Sequence, residues 1–224
     1  MKRPTELFYD ARRIYHVGGM IHLLRRTVAF IGYCLFQHRR YWLYSEPVPG
    51  YPDLTEADFL PRIDGLTWKA VSSNEEADEL EAQGLEFRSL VPNARERLKR
   101  GAVALCIFVG RELANMGWLV TGQRAMDSLP DPPLKVDFAN NEACGGAIWT
   151  SPKYRRNGFR LYNRYKRFEF LVEKGFVVNR SAIAKKNVVA QSGYRRFPPT
   201  RTYAEGRYLR VLWWRSWKES PLAA

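Results

Sequence analysis

From Leu66 onward, short apolar runs alternate with amphipathic segments, and this alternation restricts the fold more than any other feature of the chain. Leu66–Val71, Ala102–Val109, Leu113–Thr121, Glu142–Thr150, Phe176–Ala184 and Tyr203–Trp214 are runs of strand length rich in β-branched and aromatic residues. Ser73-Asn74-Glu75-Glu76 is a capping box: the serine accepts from a free amide, the glutamate reaches back, and an acidic helix follows to about Gln83. Pro92–Arg100 predicts a second helix, closed by Gly101 where a left-handed residue is wanted. Phe159–Lys174, ended by Gly175, predicts a third, and Asn187–Arg196 a short fourth. Gly110-Arg111-Glu112 reads as the turn of a hairpin. The order β-α-α-β-β-β-α-β-α-β predicts an α+β fold, a mixed sheet flanked by helices with a right-handed βαβ unit over 142–184.

Ahead of this body, residues 1–45 read as an N-terminal helical segment. Residues 46–65, with four prolines and two glycines, read as a linker to a domain over 66–224. A helix from Met20 to about His38 carries Met20, Leu24, Val28, Ile31 and Leu35 on one stripe. The stripe suits packing on the body, packing on a second subunit in a homodimer, or peripheral contact of residues 20–40 with a membrane. It does not span a bilayer, because Arg25 and Arg26 sit mid-segment at a cost of about 3 kcal/mol each. No small-residue cleavage site follows, so it does not read as a signal peptide.

Formal charge is +13, from 36 basic and 23 acidic residues. The excess favours an anionic partner without choosing one. No block of five or six like charges marks a nucleic-acid tail, and nucleic acid is disfavoured as a partner. Arg201, Arg207, Arg210 and Arg215 interleave with Tyr203, Tyr208, Trp213, Trp214 and Trp217. Strand alternation there predicts sheet-core packing and not a base-stacking platform. Three scattered cysteines suit structural thiols in a reducing, cytoplasmic setting, and three histidines near the N-terminus argue against a metal site.

The chemistry-bearing segment is Pro152-Lys153-Tyr154-Arg155-Arg156-Asn157-Gly158-Phe159-Arg160, between an apolar strand and an amphipathic helix. A turn there points backbone N–H groups into one concavity at a helix N-terminus, and two arginines add charge, an arrangement suited to a pyrophosphate. Here the chain resembles the GNAT N-acyltransferase superfamily, whose phosphate loop follows Arg/Gln-x-x-Gly-x-Gly/Ala after a proline. Pro152, Arg155 and Gly158 stand in register. Arg160 replaces the usual small residue, and either bends away to pair with a phosphate or crowds the site. Asn187, Ala190 and Tyr194 reproduce a second spacing of the family, while Phe197-Pro198 stands where Gly-Phe is usual.

The resemblance covers about residues 66–215 and implies a splayed mixed sheet, an acetyl-CoA or other acyl-CoA donor, no metal, and direct transfer to an amine. It implies cofactor contacts from Ala147, Ile148, Trp149, Thr150, Arg155, Arg156, Asn157, Gly158, Phe159, Arg160 and Asn187. Tyr194 is implied as the acid that protonates the departing thiolate, and Glu142 as the base. Asp137 and Glu112 are further carboxylates for that role. The expected acceptor is a small amine or amino-sugar, and the expected location is the cytoplasm or the inner face of the membrane. Two alternatives stand beside this reading: a donor carried on acyl-carrier protein or aminoacyl-tRNA, and a non-catalytic binding protein.

Overall fold

Val103–Phe108 has no polar face, which suits a strand covered on both sides. In the computed structural model these side chains are all buried, and the strand lies inside a mixed sheet. The structure describes residues 35–48, 54–129, 132–195 and 200–222, with Leu24, Thr27 and Gly32. In chain order the elements are β1 (Phe36–Pro47), β2 (Leu66–Val71), α1 (Asn74–Ala82), α2 (Ala94–Lys99), β3 (Val103–Val109), β4 (Glu112–Val120), α3 (Gln123–Met126), β5 (Glu142–Thr150), α4 (Phe159–Glu173), β6 (Val178–Ala184), α5 (Val188–Arg195), β7 (Arg201–Val211) and β8 (Trp214–Pro221). The eight strands run β2-β3-β4-β5-β6-β1-β7-β8.

Local chemistry accounts for the boundaries. The Ser73 hydroxyl accepts from the Glu76 amide at 3.1 Å, while Glu76 reaches past it to the Ser72 amide at 2.7 Å. Gly101 closes α2 with φ 89°, and Gly110 turns the β3–β4 hairpin with φ 57°. Val103, Leu105, Leu119, Ala143 and Leu171 form one core cluster, so α4 packs its apolar stripe on β3, β4 and β5. Cys106 and Cys144 are buried free thiols, and burial pushes both pKa values up, that of Cys144 to about 12. Neither is a nucleophile at neutral pH.

Three expectations are corrected. Phe36–Pro47 is a strand, not a helix end followed by a linker. Tyr41–Pro47 runs antiparallel to β6 from Tyr41↔Ala184 to Pro47↔Val178. Tyr41-Trp42-Leu43-Tyr44 is a strong β-former, and sheet pairing outweighs the helical stripe upstream. Leu24, Thr27, Gly32 and Leu35 are helical, whereas Met20, Val28 and Ile31 lie outside the described residues. The second correction concerns the linker, part of which is ordered against α4: Tyr162 donates to Glu56 at 2.6 Å and Phe59 stacks on Tyr165. Third, the final apolar run is two strands, because the chain turns at Leu212 and Trp213. Two compact units result, Met1–Arg40 with Arg207–Lys218, and Tyr41–Gly206 with Glu219–Ala224.

Candidate active site

Parallel pairing of β5 with β6 lasts three residues, Glu142↔Val178, Ala143↔Asn179 and Cys144↔Arg180. Beyond Cys144 the strands part, and Gly145–Thr150 stays paired to β4 alone. A bulge sits in this stretch, where Met116↔Trp149 is followed by Trp118↔Gly146 and Ala147 has φ 48°. Gly145 leaves room for side chains packed beneath the strand. A Cβ there would run into the Arg167 guanidinium and lie 3.1 Å from Asn179 Oδ1. The buried Asn115 holds the far end of the stretch, donating to the Trp149 carbonyl at 2.9 Å and to Thr150 Oγ1 at 2.7 Å, and accepting from Asn163 at 2.6 Å.

A cavity of about 1240 Å³ opens where the strands part. Gly145–Thr150, Arg155, Arg156, Gly158–Leu161, Ser181–Ala184, Asn187 and Tyr194 line it. The 155–160 turn has two left-handed positions, Arg156 at φ 69° and Gly158 at φ 82°. Leu161 and Tyr162 both donate to the Gly158 carbonyl, so the amides of Gly158, Phe159 and Arg160 precede the first helical bonds of α4 and are left for a ligand. Lys153 and Tyr154 pin the start of the turn by donating to Glu112 at 2.6 and 2.7 Å. The donor set, the exposed Arg155 and Arg156 and the cavity size fit a coenzyme A molecule, whose diphosphate needs cations and amides together.

Tyr194 lines the same cavity from α5 and is buried. The Arg164 guanidinium covers its ring at 3.8 Å, and Tyr44 packs on it at 4.5 Å. Burial raises the cost of ionising the phenol. The charges of Arg164 and Arg167, the neighbouring Ser181 hydroxyl and Arg160 outweigh that cost and hold it below the ordinary tyrosine value. These arginines occupy successive turns of α4. Glu46, from β1, is the buried counter-ion of two of them: it pairs with Arg164, lies 3.8 Å from Arg167 and accepts from Asn179 at 2.6 Å. Burial draws Arg164 down to about 9, so it remains a cation at neutral pH.

The cavity thus gathers Ala147, Ile148, Trp149, Thr150, Arg155, Arg156, Gly158, Phe159, Arg160, Asn187 and Tyr194, with exceptions in how they act. Asn187 is the N-cap of α5, its Oδ1 accepting from the Ala190 amide at 3.0 Å. Phe159 contributes backbone, since its ring is buried edge-on to Tyr154. Arg160 bends across to α5, donating to the Ala190 carbonyl at 3.1 Å.

Asn157 is absent from the cavity lining; its amide donates to the Arg155 carbonyl and it borders a different recess with Asp58–Arg62. Glu142 also stands off the lining. It grips Arg180 with both oxygens and accepts from the Asp137 amide at 2.9 Å. Burial would raise its pKa, but Arg180 and that amide hold it below the usual carboxylate range. A carboxylate so paired does not take a proton from an amine. Asp137 caps a short turn at Asn140, and Glu112 is taken by Lys153 and Tyr154. Glu46, Arg164, Arg167 and Ser181 are not among the residues that the sequence singles out, because charged residues on an amphipathic helix read as a solvent face.

The chain matches no family model, and no curated protein matches it by sequence. Among solved structures it is similar to the GCN5-related glucosamine N-acetyltransferase region of a fungal multi-domain GH3 β-N-acetylglucosaminidase, with TM-score 0.50 and 13% identity over 83% of this chain and 22% of that one. It is also similar to GCN5-related N-acetyltransferases from Kribbella flavida (TM-score 0.43, 13% identity, 87% of this chain and 64% of that one) and Sphaerobacter thermophilus (0.45, 12%, 92% and 59%). The chain spans less than two thirds of each of these structures. The likeness is one of fold, a mixed α+β architecture of the GNAT type.

Proposed function

We propose that this protein transfers an acyl group, acetyl by default, from coenzyme A to a primary amine in one direct step. The observation that carries the reading is the parting of β5 from β6 at Gly145, which opens one cavity lined by both the arginine-bearing turn and Tyr194. Arg155, Arg156 and the amides heading α4 would hold the diphosphate. The unpaired edge of β5 at Ala147, Ile148 and Trp149 would bind the pantetheine amides and polarise the thioester carbonyl. The amine nitrogen bonds to the acyl carbon as the carbon–sulfur bond breaks. Tyr194 gives its hydroxyl proton to the sulfur, the surplus amine proton passes to water, and water returns a proton to the tyrosinate.

Among the described residues lining the cavity there is no aspartate, glutamate or histidine. The amine therefore arrives neutral or loses its proton to solvent. Rate rises with pH as the amine deprotonates and falls once Tyr194 ionises. A second chamber of about 370 Å³ shares the Tyr194 wall and is lined by Trp42, Tyr44, Gln191, Thr200 and Thr202. Its rings and hydroxyls suit an uncharged or amino-sugar acceptor. A donor on a carrier protein offers only one phosphate to a turn that presents two arginines and a helix terminus, which favours coenzyme A.

Acetyl-CoA with a panel of primary amines, amino-sugars included, tests the reading by release of free thiol. Thiol release that needs both substrates is expected. Binding of acetyl-CoA with no thiol from any amine would make the protein a non-catalytic binder.

A further inference from the structure

The charge of this chain is unevenly divided. Met1–Arg40 and Arg207–Lys218, one compact unit and under a quarter of the residues, hold twelve of the 36 basic side chains and two of the 23 acidic ones. That is a formal +10 of the total +13. Within the same unit the β7–β8 turn exposes bulky apolar side chains. Trp213 is 86% exposed and Trp214 54%, and Val211 and Leu212 beside them are exposed too. Strand alternation predicts Trp213 in the core, but Leu212 takes φ 56° and turns the chain outward. The Leu212 amide donates to the Leu35 carbonyl at 2.6 Å, which sets the exposed Leu35 and Phe36 next to the turn. Arg207, Arg215 and Lys218 are exposed on the hairpin, and Arg207–Lys218 contains no acidic residue.

We propose that this hairpin docks on an anionic phospholipid bilayer, with Leu212, Trp213 and Trp214 entering the headgroup–acyl boundary and the flanking cations meeting lipid phosphates. Indole rings favour that boundary, being apolar in body with one polar N–H. Each basic residue near such a surface adds attraction that fades within a Debye length. Nucleic acid would use the cations and the rings but leave Val211, Leu212, Leu35 and Phe36 in water. Lipid covers all of them.

Co-sedimentation of the full chain with phosphatidylcholine–phosphatidylglycerol vesicles, against phosphatidylcholine alone, tests the proposal. Binding is expected to the anionic vesicles, weakened by salt, with a blue shift of tryptophan emission. Trp213→Ala, at a position too exposed to matter for folding, should reduce partitioning about tenfold, and Trp213→Ala/Trp214→Ala should reduce it further. Acetyl-CoA affinity of both variants should match wild type, so this test and that of the acyltransferase reading fail independently. Four results overturn the proposal: equal binding to both vesicle types, unchanged partitioning of Trp213→Ala, a single-stranded nucleic acid bound in preference to the vesicles, or Trp213-dependent self-association without lipid binding.

Discussion

One strand, β5, lives in two environments. Glu142–Cys144 lies against β6, its side chains are buried and its carboxylate is locked to Arg180. Gly145–Thr150 lies against β4 alone, carries two glycines and a bulge, and faces a cavity. Packing decides the first half, and the second is built by withholding partners from the backbone. The division falls at Gly145, where Arg167 packs against the backbone and Glu46, Arg164 and Asn179 fill the space beneath with charge instead of apolar bulk. A scaffold and a site can therefore share one strand when the wedge between them is polar and fully buried.

The sharpest contrast is between the two carboxylate–arginine pairs. Glu46→Ala strands two buried guanidinium groups and should cost about 3–5 kcal/mol, read from the denaturation midpoint. Glu142→Gln, whose partner Arg180 is partly exposed, should cost only about 1 kcal/mol. Equal losses would break the comparison. Next, Tyr194→Phe should lower kcat about 100-fold with acetyl-CoA affinity unchanged. Because Tyr194 titrates below its ordinary value, wild-type kcat should fall on an alkaline limb below pH ~10 that the variant lacks.

At the wedge, Gly145→Ala should cost about 1–3 kcal/mol by displacing Arg167. Gly146→Ala, with open space around its Cβ, should change stability by less than about 0.5 kcal/mol. The smallest effect is the acid dependence of Glu142. Its folded pKa lies below the unfolded value, so its stabilisation is present above about pH 4.3 and is lost as pH falls through the folded pKa. Glu142→Gln should remove that part of the acid limb in an unfolding titration and leave the pH–rate profile near neutrality unmoved.

The open half of β5 was more legible in sequence than the closed half. Pro152–Arg160 reads locally, since a turn between an apolar strand and a helix fixes its own direction. The element order from β2 to β7, apart from the one-turn α3, follows from periodicity in the same way. Long-range pairing was not legible. Tyr41-Trp42-Leu43-Tyr44 meets β6 across more than a hundred residues, and the Glu142–Arg180 pair exists only because β5 and β6 run side by side. Charged residues on an amphipathic helix read as a solvent face, so Arg164 and Arg167 pass unnoticed until Glu46 arrives from β1. The turn at Leu212 has no glycine to announce it.

Hydrogen exchange with and without acetyl-CoA addresses the open edge of β5 most directly. Slowed exchange confined to the amides of 145–150 and 158–160 is the predicted result, with the amides of Glu142–Cys144 protected to the same degree in both states. Protection that falls elsewhere, or none at saturating ligand, would contradict the assignment of this cleft to the coenzyme.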